Sequence, residues 1–150
     1  MNSISANLNI MIKACEKASK TLIRDFGEVE KLQVSIKGPL DFVSNADTKA
    51  EKIIISELSK SRKKYSIISE EDGSKANEDK NNVWIIDPID GTTNFLHGIP
   101  HFAISIALKS YNEIVSGVIY DPIKDEIFYA EKNSGAYFNN QRIKVSKKKI

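Results

Sequence analysis

A chain of 150 residues is long enough for one domain with a well-filled core. Its 22 basic and 20 acidic side chains leave a net charge of +2, which gives no electrostatic basis for a nucleic-acid or membrane partner. The single cysteine, Cys15, excludes an internal disulfide and a cysteine metal cage, and suits a reducing, cytoplasmic setting.

The first residues lack the basic flank and unbroken apolar core of a signal peptide, and no run approaches the length of a membrane span. Instead Leu8, Met11, Ile12, Cys15, Leu22, Ile23 and Phe26 recur at helical spacing, predicting an amphipathic helix over about 5–26 that stops at Gly27. Cys15 lies on the apolar face with no histidine near it in sequence, so it reads as a packed thiol and not as a nucleophile. Leu32, Val34 and Ile36 alternate with polar residues, predicting a half-buried strand that runs into the Gly38-Pro39 turn. Ser44 and Asp47 have the spacing of a capping box ahead of Ala50, Ile53, Ile54 and Leu58, so a second helix is expected over about 45–61. Capping alone would account for Asp47.

Tyr65-Ser66-Ile67-Ile68 predicts a strand that delivers Ser69-Glu70-Glu71-Asp72-Gly73; three adjacent acids are ordinarily a solvated loop. The polar stretch from Ser74 to Asn82 has no apolar periodicity and reads as a surface loop. Val83-Trp84-Ile85-Ile86 predicts a strand buried on both faces, ending where Pro88 removes a ladder N–H. Asp87-Pro88-Ile89-Asp90 then reads as a turn whose first and fourth residues lie within about 7 Å. Two carboxylates so placed repel one another unless a cation sits between them, and hard oxygen donors favour Mg²⁺, Mn²⁺ or Ca²⁺ over zinc. Gly91 permits close backbone approach, and Thr92, Thr93 and Asn94 open a short helix whose N–H groups suit an anion. A cation beside such amides is what a phosphate ester needs. An ordinary surface turn uses the same residue types, whereas an EF-hand is excluded by the spacing and by Pro88.

His97 and His101 have the i, i+4 spacing of a zinc pair, but Gly98 and Pro100 interrupt the helix that would align them. Beyond them, 102–108, 114–120, 125–130, 136–138 and 142–146 read as strands joined by turns at Tyr111-Asn112-Glu113, Asp121-Pro122, Asn133-Ser134-Gly135 and Asn139-Asn140. Lys147-Lys148-Lys149 reads as a solvated basic tail. The expected class is α+β, with two helices packed on one face of a mostly antiparallel sheet.

The run Trp84-Ile85-Ile86-Asp87-Pro88-Ile89-Asp90-Gly91-Thr92-Thr93-Asn94-Phe95 resembles the signature of the inositol monophosphatase family, Mg²⁺-dependent and typically lithium-sensitive phosphatases of small phosphate monoesters. The resemblance implies the N-terminal half of a layered α/β/α/β/α fold. It makes Glu70, Asp87, the Ile89 carbonyl and Asp90 metal ligands, and Glu70 with Thr92 the groups that orient the attacking water. Gly91, Thr92 and Asp90 would meet the phosphate, while Lys37, Asp47 and Glu71 would stand near the metals without gripping them. It also implies that residues 1–150 form a metal- and phosphate-binding domain without the family's C-terminal substrate domain, whose Trp-Asp element completes the metal site. A homodimer is the family's habit. Thr92-Thr93-Asn94-Phe95 favours the inositol branch over the nucleotide branch, which typically reads Thr-Lys-Glu-Phe, and leaves the fructose 1,6-bisphosphatases open. Bacterial relatives that serve as RNA-associated transcription factors give a non-catalytic alternative, and an inactive fragment is another.

Overall fold

The computed structural model describes residues 3–32 and 39–149. Helices α1 (Ala6–Leu32) and α2 (Pro39–Ser61) precede strands β1 (Tyr65–Ser69), β2 (Gly73–Lys75) and β3 (Asp79–Asp90). A short helix α3 (Thr92–Leu96) follows, then β4 (Ala103–Ser110), β5 (Glu113–Asp121), β6 (Glu126–Glu131), β7 (Gly135–Phe138) and β8 (Gln141–Ile143). The strands form one sheet in the order β2-β1-β3-β4-β5-β6-β7-β8, antiparallel everywhere except between β1 and β3. This is the expected α+β class.

Both long helices bury their apolar stripes against one face of the sheet. Leu8, Met11, Cys15, Ala18 and Leu22 of α1 and Ala46, Ala50, Ile54 and Leu58 of α2 share a core with Trp84, Ile86, Ile104, Ile106, Leu108 and Val118. Alternation along β3, β4 and β5 sends those strand residues inward and their neighbours to the far face. That far face is open. Ile119 and Phe128, opposite one another across β5 and β6, are exposed, as is Ile143, and they border an apolar trough of about 350 Å³ with Ala107, Gly117 and Ala130.

Five local expectations are corrected. α1 passes through Gly27 because the stripe continues to Val29, 1% exposed, and burying that side chain outweighs the roughly 1 kcal/mol a mid-helix glycine costs. Leu32 closes that helix; the rest of the strand expected at Val34 and Ile36 falls outside the described residues, as does Lys37. α2 begins at Pro39, whose fixed φ and missing N–H suit a first helical position, so Ser44 and Asp47 lie inside the helix and do not cap it. Ser74–Asn82 is not all loop: β2 pairs back onto β1, and β3 starts at Asp79, whose carboxylate accepts the Asn81 and Asn82 N–H groups. β3 also runs past Pro88, because a bulge between Asp87 and Asp90 sets three β3 steps against two of β4, and a bulge tolerates the missing N–H.

Cys15 is fully buried, and desolvation first, then Glu16, drives its thiol far above the usual range. A thiol reagent at pH 8 should therefore leave the native chain unlabelled and react only after denaturation. Rapid native labelling would contradict this packing.

Candidate active site

The parallel pairing of β1 with β3 ends at Ser69, while β3 itself runs on to Asp90. Ser69 lies opposite Ile86, and the Glu70 N–H continues the ladder by donating to the Ile86 carbonyl at 3.2 Å. The next side chains, Glu70 from the β1 end and Asp87 from the β3 bulge, thus emerge side by side at the carboxyl end of the parallel pairing, where open sheets present their ligand crevices. The Glu70 and Asp87 carboxyls stand close enough to share a proton, and Asp90 adds its charge from the far side of the bulge. α2 brings a second pair: Asp47, 3% exposed, faces Glu71 closely enough to share a proton.

Crowding of this kind perturbs titration. Burial first, then Glu70 and Asp90, push Asp87 up to about 7, against a lowering contribution from the Ile89 N–H. Burial first, then Glu71 and more weakly Asp87 and Glu70, push Asp47 up to about 8. One oxygen of each, Oδ1, is buried without a hydrogen-bond partner. Among the described residues no three His, Cys, Asp or Glu side chains stand close enough to cage an ion unaided; the acids meet as proton-sharing pairs. Orphaned carboxylate oxygens of this type fit a hard divalent cation, which would replace the shared protons.

Behind the acids, the backbone is built for close approach. Gly91 has φ +99°, a left-handed conformation that L side chains rarely adopt. A Cβ there would lie 3.1 Å from the His101 carbonyl oxygen and 3.3 Å from the Phe102 Cβ. Thr92 follows at the start of α3, which is anchored by Phe95, fully buried, in edge-on contact with Phe26 of α1 and with Phe102. A pocket of about 250 Å³ between α2 and α3 is lined by Asp47, Glu71, Thr92 and Thr93. A cleft of about 460 Å³ on the other side is lined by Asp90, Gly91, Asn94, His101 and Lys124.

The fold therefore gathers Asp47, Glu70, Glu71, Asp87, Asp90, Gly91 and Thr92 around one end of the sheet, with Ile89 buried inside the bulge. His97 and His101 take local roles: His97 Nδ1 lies 2.8 Å from the Thr93 carbonyl, and the His101 carbonyl accepts from Asn94 Nδ2 at 2.8 Å. Two nearby residues were missed in the sequence. Lys124 lines the cleft beyond Asp90. Glu51, fully buried on α2, interrupts an apolar stripe between Ala50 and Ile54, and an acid in that position was a readable signal.

The family model described as the inositol monophosphatase family matches residues 5–150. The inositol-1-monophosphatase of Mesorhizobium japonicum is 56% identical over 142 residues, which is 95% of this chain and 53% of that protein. A Nus factor SuhB from Vibrio cholerae is 45% identical over 138 residues, 92% of this chain and 52% of its own length. The crystal structure of extragenic suppressor protein suhB from Bartonella henselae matches with a TM-score of 0.86 at 52% identity, covering 96% of this chain and 56% of that one. The chain spans about half the length of the curated relatives it matches.

Proposed function

The chain belongs to the inositol monophosphatase family, and from that premise we propose that it provides the cation- and phosphate-binding half of a phosphatase for small phosphate monoesters, inositol 1-phosphate foremost. The observation that carries this reading is the Glu70–Asp87 pair where the parallel pairing of β1 and β3 ends, with the charge of Asp90 across the bulge and Asp87 held up to about 7. Glu70, Asp87, Asp90 and the Ile89 carbonyl would hold Mg²⁺. When bound, that ion supplies charge neutralisation at the phosphoryl oxygens and Lewis acidity at the attacking water. Glu70 and the Thr92 hydroxyl would orient that water, and the Glu70 carboxylate would receive its proton. The Gly91 and Thr92 amides hold phosphate oxygens, which the left-handed Gly91 lets approach the backbone. Asp47 and Glu71 keep the field around the acids negative, and Asp90 faces both phosphate and cation. Inhibition by lithium, a cytoplasmic setting and a homodimer go with this reading.

Relatives are about twice as long as the matched stretch, and the open apolar face around Ile119 and Phe128 is where we seat the rest of such a chain. Among the described residues no helix is long and apolar enough to cross a membrane. The test is Mg²⁺-dependent phosphate release from inositol 1-phosphate, with Asp90→Asn as the blank and fructose 1,6-bisphosphate and a 3′-phosphoadenosine nucleotide as competitors. We expect release that is weak in this chain alone, requires Mg²⁺, and falls by roughly 100-fold or more in the variant, the scale for losing one charge-stabilising group. Release that needs no cation, or that survives Asp90→Asn, would contradict it.

Similarity to a Nus factor SuhB favours a second reading, a non-catalytic role in a transcription complex. Association with transcription proteins that survives Asp87→Asn, together with no phosphate release, would support that role over catalysis.

A further inference from the structure

The Glu70-Glu71-Asp72 turn has little packing to hold it. Its three side chains are exposed, and it leads into β2, a three-residue strand exposed throughout. Its backbone is tied at few points: the Glu70 N–H to Ile86, and the Asp72 N–H shared between Ser69 Oγ at 3.3 Å and Glu51 Oε1 at 3.5 Å. Ser69 belongs to the turn's own strand, and its hydroxyl also donates to the Gly73 carbonyl at 3.4 Å. Glu51 does not. It reaches across from α2, one helical turn beyond Asp47, from a position that is 0% exposed, and its second oxygen, Oε2, is buried with no hydrogen-bond partner. Burying a carboxyl with an unmatched oxygen is unfavourable, and a helix stripe of Ala46, Ala50, Ile54 and Leu58 would pack better with an apolar residue there.

We propose that Glu51 is a positioning residue that reaches from α2 to fix the turn carrying Glu70, holding that carboxylate beside Asp87. Asp47 meets Glu71 from the same helix, so two acids one turn apart grip two successive parts of the turn. The Glu70 N–H bond to Ile86 ties the near end of the turn to β3, and the helix adds the tie at its far end, which the short β2 hairpin cannot supply by itself. This inference rests on the reading of Glu70 as a cation ligand.

The test compares Glu51→Leu, which fills the space without an acceptor, with Glu51→Gln, which keeps an oxygen for the Asp72 N–H. Two readouts are used: hydrogen exchange at the Asp72 amide by NMR in cation-free buffer, and Mn²⁺ affinity by calorimetry. Glu51→Leu should speed Asp72 exchange by about tenfold and weaken Mn²⁺ binding by roughly 10- to 100-fold, the range for groups that orient metal ligands, with the melting temperature kept or raised. Glu51→Gln should restore both. Asp72 exchange unchanged in Glu51→Leu would overturn the proposal, as would a Gln variant as damaging as Leu, since the charge and not the tie would then matter. Wild-type chain that binds no Mn²⁺ would overturn it too, because there would be no ligand to position. In that case the exchange data would still report whether the tie exists, which separates its failure from that of the cation reading.

Discussion

Asp87→Asn is expected to raise the melting temperature of the cation-free chain at pH 8 while removing its response to Mg²⁺. These effects have opposite signs because the same carboxyl is unfavourable without a cation and indispensable with one. Asp87 titrates at about 7 in the folded chain against an ordinary 3.8, chiefly through burial and then through Glu70 and Asp90. The folded state therefore binds this proton more tightly than the unfolded state does. Its contribution is fully present below pH 4 and is lost progressively as pH rises from about 4 towards 7. Asp47, pushed up to about 8, extends the same loss by about a unit. Wild-type chain stripped with a chelator should melt progressively lower from pH 5 to pH 8, and Mg²⁺ should reverse the fall. In Asp87→Asn the fall should be shallower, the pH 8 transition higher, and the Mg²⁺ shift absent, with affinity down roughly 100-fold or more, beyond the cost of losing an outer-shell partner. A lower melting temperature at pH 8 in the cation-free variant would contradict the account of strain among the acids.

Gly91→Ala should be damaging to stability and function together. At φ +99° an alanine sits in a region L residues rarely adopt, and such strain costs on the order of 1–3 kcal/mol. Its Cβ would also press on the His101 carbonyl at 3.1 Å, and that carbonyl cannot simply give way, since it accepts the Asn94 amide that braces the turn after α3. Relief would require Gly91 to change conformation, which moves the Thr92 amide and hydroxyl relative to Asp90. Denaturant unfolding should show the loss, and binding of inorganic phosphate in the presence of Mg²⁺ should fall by more than the stability change explains. An alanine variant with wild-type phosphate binding would mean the left-handed turn is merely structural.

The Asp87 to Phe95 stretch was legible because its chemistry and its backbone constraints sit in consecutive residues. The two carboxylates, the proline and the left-handed glycine each report on the same few ångströms. Pro88 was still misjudged as a strand end, because a missing N–H is equally at home in a bulge, and only pairing with β4 decides between them. Gly27 and Ser44 misled in a similar way: local stop and capping signals were overridden by burial of Val29 and by a helix start at Pro39. Asp47 shows the consequence. Read locally it was a cap, whereas inside α2 it faces Glu71, a partner distant in sequence that no local pattern reveals. Glu51 left a readable sign as an acid within the apolar stripe, but its contact with Asp72 exists only once α2 lies against the β1–β2 turn.

The claim on which the rest depends is that these acids form a cation site, and calorimetric titration of the chain with Mg²⁺ at pH 7 in buffers of different ionisation enthalpy tests it most directly. Asp87 and Asp47 are held protonated well above the usual carboxylate range, so cation binding should expel protons, and the heat should vary with the buffer. The account predicts buffer-dependent Mg²⁺ binding that disappears in Asp87→Asn. No binding, or binding with a heat independent of buffer, would contradict it.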